Sequence, residues 1–133
     1  MNTVIVTMNL LETIETRSIE GRLPCAAAFD IAASLDVSPK AVREEADRSD
    51  VRISHCQLGL FGFDAFGEKR LVRTLKQVPE GLADALRSAC TEERLSCAAA
   101  WRIAETFGLP RYVVGCAAET LGLNIRPCQL GCF

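Results

Sequence analysis

The sequence predicts a mostly α protein: two tandem repeats, each a helix, a tight turn, a second helix and a short strand, packed as one compact body. Three observations carry that expectation. The chain matches itself, residues 22–61 aligning without a gap on 94–133 at a shift of 72 with 16 of 40 pairs identical. Within each copy, apolar residues recur at three- and four-residue spacing. Capping and turn residues stand at the ends of those periodic stretches.

Length and composition narrow the class. A chain of 133 residues holds one domain, or two very small ones sharing a core. With 49% hydrophobic and 24% charged residues it is a folded composition, not a disordered one. A formal charge of −2 and a pI near 5.4 supply no bulk cationic field for nucleic acid or anionic lipid. No apolar run reaches the roughly 18 residues of a membrane span, so no membrane partner is expected. The first fifteen residues lack a basic stretch ahead of an apolar one, against a secretory signal. The seven cysteines are odd in number and sit mostly in apolar periodic segments. The expectation is a cytoplasmic protein with reduced thiols, several packed as small hydrophobes.

The elements follow in order. Leu10, Leu11 and Ile14 fall opposite Leu82, Ala83 and Leu86, which places a leading helix in each copy. The repeats are then residues 8–61 and 80–133, with 62–79 a connector or wing. Pro24 and Ser96 mark the next helix start, proline as a first helical residue and serine as an N-cap. Cys25, Ala28, Phe29, Ala32 and Leu35 form its core stripe, repeated by Cys97, Ala100, Trp101, Ala104 and Phe107, with Trp101 expected in the core. Ser38 caps a second helix beginning at Pro39, with Val42 and Ala46 inward, as are Val114, Ala117, Ala118 and Leu121 in the other copy. Gly122 suits the left-handed position that closes it. Val51–Ile53 and Leu123–Ile125 alternate as strands, and a change of parity before Cys56 and Leu58 points to a bulge or an edge.

These residues resemble a known pattern. The run Ile31-Ala32-x-x-Leu35-Asp36-Val37-Ser38-x-x-x-Val42 is similar to the helix-turn-helix of bacterial transcription regulators. Ile103, Ala104, Phe107, Gly108, Leu109 and Val114 match it more closely at the turn. A preceding helix and a following strand make each copy winged-helix-like. The resemblance implies that the second helix enters a major groove. The first copy would present Lys40, Arg43, Glu44, Asp47 and Arg48; the second Arg111, Tyr112, Gly115, Cys116, Glu119 and Thr120.

The expected function is therefore a non-enzymatic regulatory binding protein, with DNA as the ligand ranked first. Lys40 and Arg43, together with the basic cluster Lys69, Arg70, Arg73 and Lys76, are the expected contacts. Two alternatives stand beside it. Cys25, Cys56, Cys97 and Cys128 recur in both copies, and brought together by a pseudo-two-fold packing they would suit zinc, an iron–sulfur cluster or a redox switch; no C-x₂-C pair supports this. A protein-interaction module, with a protein partner or second subunit and no DNA, is the other; Phe61, Phe63 and Phe66 either cap the core or make its sticky patch. Catalysis has little to draw on. His55 is the one histidine, there is no glycine-rich phosphate loop, and neighbours His55 and Cys56 on a strand would face opposite ways.

Overall fold

Side-chain chemistry sets where the helices begin and end. The computed structural model describes residues 3–63 and 70–132, and it is mostly helical. Among the described residues the helices are α1 (Thr3–Arg17), α2 (Cys25–Leu35), α3 (Pro39–Arg48), α4 (Leu82–Ala89), α5 (Cys97–Phe107) and α6 (Arg111–Leu121). Four short strands accompany them: β1 (Arg22–Pro24), β2 (Arg52–Ser54), β3 (Arg94–Leu95) and β4 (Asn124–Ile125). Ser38 caps α3, its hydroxyl accepting the Ala41 N–H at 3.0 Å, with Pro39 as first helical residue. Ser96 caps α5 in the same way through Ala99 N–H at 3.1 Å. Pro24 is itself the cap residue and the end of β1, one position earlier than the first-helical place expected for it. Asp36, Gly108 and Gly122 close α2, α5 and α6 in the left-handed region.

The elements of the second copy recur at the 72-residue shift, and so do their backbone hydrogen bonds. Val37 N–H reaches Ala32 O and Leu109 N–H reaches Ala104 O; Val51 N–H reaches Ala46 O and Leu123 N–H reaches Ala118 O. The chain divides into two units, Met1–Cys56 with Leu130–Cys132, and Gln57–Gln129. In the first, α1 packs on α2 and α3, which pack on each other around Ile14, Leu23, Ile31, Val42 and Leu130, all under 2% exposed. In the second, α4 packs on α5 and α6 around Leu58, Leu82, Leu86, Leu95 and Val114. Ala28 and Ala46 in one unit, and Ala100 and Ala117 in the other, are fully buried, and their small side chains let the helices approach closely.

The strands depart from the expected pattern. β1 runs parallel to β2 with Leu23 opposite Ile53, and β3 runs parallel to β4 with Leu95 opposite Ile125. The helix pair is thus the crossover of a parallel strand pair, and the residues just before it supply the partner strand. The change of parity has a local cause. His55, at φ +51°, ends β2 in the left-handed region and re-aims the chain, so Ser54 and Cys56 are both buried. The core stripes also shift. Phe29 and Leu35 are half-buried while Ile31 takes the interior, and Trp101 is half-buried beneath the Arg111 guanidinium, 3.7 Å from its ring centre. Among the described residues of 62–79 there is neither helix nor strand. No helix of the described residues is long and apolar enough to cross a membrane.

The Ser38 cap yields a direct expectation. Ser38→Ala lowers unfolding free energy by about 1 kcal/mol, whereas Ser38→Gly lowers it by only a few tenths. Urea midpoints at unchanged slope measure both; equal losses in the two variants contradict a side-chain cap.

Candidate binding surface on the second helices

A segment of chain lies across each helix that a helix-turn-helix would turn outward. On α3, the Leu130 side chain is fully buried and its carbonyl accepts the Arg43 Nε–H at 3.0 Å. Gly131 follows at φ +81°, where a Cβ would sit 3.6 Å from the Lys40 stem. On α6, Leu58 is fully buried, and its carbonyl oxygen lies 2.0 Å from where a Cβ on Gly115 would be. Gly59 follows at φ +83°, a Cβ there falling 2.8 Å from the Tyr112 ring. The four partners correspond at the 72-residue shift: Lys40 with Tyr112, Arg43 with Gly115, Leu58 with Leu130, Gly59 with Gly131. One docking geometry is written twice. Its glycines are needed for backbone sign, and Gly115 for close approach of helix and segment.

The second unit adds further fastening. Gln57 Oε1 accepts from the Arg111 guanidinium, while Gln129 Nε2 donates to Cys97 Sγ at 3.6 Å. The connector then runs along α6. Leu71 N–H donates to Gly59 O at 2.8 Å, Tyr112 Oη donates to Leu71 O at 2.5 Å, and Leu75 N–H donates to Thr120 Oγ1 at 2.8 Å. Arg73 N–H reaches Cys116 Sγ at 3.5 Å, and Val72 is buried. As a result Val114 to Ala118 are buried without a break. Gly115 and Cys116, expected on the ligand-facing side, are inside.

The expected cations are mostly committed within the chain. Arg43 holds Asp47 at 2.6 Å besides the Leu130 carbonyl, and Arg70 holds Glu119 at 2.7 Å. The Arg73 guanidinium donates to Leu71 O at 3.3 Å and Val72 O at 3.1 Å. Lys40 and Lys76 are exposed, and Lys69, like Phe66, lies outside the described residues. A phosphate binding at Arg43 or Arg70 has to compete with the carboxylate already paired there, which reduces the counterion-release gain.

The repeated thiols fall two to a unit: Cys25 and Cys56, both buried, in the first; Cys97, buried, and Cys128, half-buried, in the second. Among the described residues no three His, Cys, Asp or Glu side chains form a group that could hold a metal ion. His55 lies past the end of β2, its Nδ1 2.7 Å from Ser54 Oγ. The second unit also carries a cleft of about 510 Å³ between α6, Leu60–Phe61 and the β4 strand, its charged groups being Arg70, Glu119 and Arg126. Phe61 lines that cleft half-buried, and Phe63 is buried. No protein-family model, curated protein or solved structure matches the chain.

Reading the sequence for chemistry missed the Leu-Gly docks. The signal was there: Cys-Gln-Leu-Gly is one of only two four-residue runs identical between the copies. Two substitutions probe the docks. Gly115→Ala in a helix interior ordinarily gains up to about 1 kcal/mol of propensity. Here the new methyl meets the Leu58 carbonyl, and overpacking of about 1–3 kcal/mol outweighs that gain. Arg43→Ala leaves the Leu130 carbonyl without its side-chain donor and costs about 1 kcal/mol or more. Thermal and urea unfolding read both; a stabilised Gly115→Ala protein contradicts the close approach.

Proposed function

We propose that the chain is a non-enzymatic, cytoplasmic association module: a tandem pair of winged-helix-like, helix-turn-helix units whose second helices take up Leu-Gly segments of polypeptide rather than DNA. The observation that carries this reading is the recurrence of a docked Leu-Gly at equivalent positions of α3 and α6. Both docks use the helix positions that a groove-reading helix needs for bases. Both recognise backbone: a leucine carbonyl, then a glycine turning left-handed. The Arg43–Asp47 and Arg70–Glu119 pairs support the same choice, because neutralised guanidinium groups attract phosphate weakly.

A two-armed experiment tests it. In the first, duplex DNA at low salt is retained weakly and without the steep salt dependence of a phosphate reader. In the second, a synthetic peptide covering Asn124–Cys132 binds the full-length Leu130→Asp variant, whose own segment cannot bury a charge at the dock. One leucine and one or two hydrogen bonds give an affinity on the order of millimolar. NMR shifts of the Arg43 Nε–H report it, and the same peptide with Gly131→Val gives none. Salt-sensitive DNA retention lost on Arg70→Ala and Arg73→Ala, or a peptide that leaves Arg43 unmoved, overturns the reading.

A further inference from the structure

We infer that a second copy of this chain is the partner, its Leu130–Gly131 segment filling the α3 dock in a segment-swapped dimer. The inference rests on the association reading above. It starts from the chain's path. The first unit is completed by Leu130–Cys132, which the whole second unit separates from Cys56. The chain leaves the first unit at Cys56–Gln57, immediately after His55. If that junction opens, the segment of one copy reaches the α3 dock of another and makes the same contacts, with Arg43 on the same carbonyl. When two copies exchange their segments reciprocally, both docks are filled and the exchange closes as a dimer.

His55 gives the open form an advantage of its own. At φ +51° it is a non-glycine residue in the left-handed region, a conformation that L side chains resist. An extended junction relieves it in both copies, favouring the swapped dimer by on the order of tenfold for each. Opposing this is the effective concentration of a tethered segment, on the order of millimolar. The two effects place the exchange on the order of tens of micromolar, reached most readily by refolding concentrated protein.

Wild-type chain is refolded at rising concentration and weighed by light scattering on a sizing column. The expected result is a second species of twice 14.5 kDa that increases with concentration. His55→Gly, which removes the strain from both copies, lowers the dimerisation constant by roughly tenfold per copy; His55→Val raises it. Leu130→Asp alone gives no such species. Mixed with Arg43→Glu, whose dock is damaged but whose segment is intact, Leu130→Asp forms a heterodimer. A single-chain mass for wild type and His55→Val at every concentration overturns the inference. If the Asn124–Cys132 peptide still binds in that case, the association reading survives without it. A dimer that persists in pure Leu130→Asp also overturns the swap, because its contact then lies elsewhere.

Discussion

A leucine carbonyl seated against the second helix is the contact on which each unit's closure depends. Leu58 and Leu130 are both wholly buried, and each is the part of its unit that arrives from the other repeat's end. Burying such a side chain is worth about 1.5–3 kcal/mol, but it brings a polar carbonyl with it, and that oxygen has to be accommodated. The two units do so differently. Arg43 supplies a charged donor at 3.0 Å. Gly115 supplies nothing but room, and the connector's hydrogen bonds to Tyr112 and Thr120 fasten the surroundings instead. A side chain that reaches over the segment and a missing side chain that lets it sink are opposite solutions to one requirement.

That requirement separates local resemblance from use. The α2–α3 and α5–α6 pairs are each two helices joined by a tight turn, with buried alanines on the helices. What a nucleic-acid reader needs beyond that is an open second helix with uncommitted cations. Here the first turns of α3 and α6 carry polypeptide, and Arg43, Arg70 and Arg73 are each engaged with groups of the chain. The strand that follows each pair turns back to run parallel to the residues before it. The exposed turn of each second helix is thus taken up by the chain's own backbone and by ion pairs within it.

How far the sequence reveals this depends on the range of each interaction. Ser38, Ser96, Gly108 and Gly122 act on neighbours three to five residues away, so helix ends can be read directly from them. β1 and β3 cannot. They are three and two residues long, too short for alternation, and they exist only through parallel partners beyond two helices. Trp101 and its counterpart Phe29 are both half-buried although their spacing puts them on a core stripe, and Arg111, which has Pro39 as its counterpart, lies over the Trp101 ring. Gly115 reads as a weak point in a helix until Leu58, far away in sequence, explains it. The repeat helps most where it has not diverged. Leu-Gly stays the same because its place against the second helix is the same in both units, while residues 40 and 43 differ from 112 and 115 because each dock needs only its own fit.

Tandem linkage makes that divergence possible. In a dimer of identical single repeats, one residue would serve both docks, and an arginine chosen for one carbonyl would stand over the other as well. In a duplicated chain the docks are separate positions. Arg43 is free to donate to Leu130 because Gly115 independently admits Leu58. Tyr112 packs its ring on Gly59 and donates to Leu71, whereas Lys40 lays an aliphatic stem beside Gly131 and keeps its ammonium in water. The consequence is unequal docks. The α6 dock is sealed by a connector running along its helix, and the α3 dock takes Leu130–Cys132, with Arg43 donating to the Leu130 carbonyl.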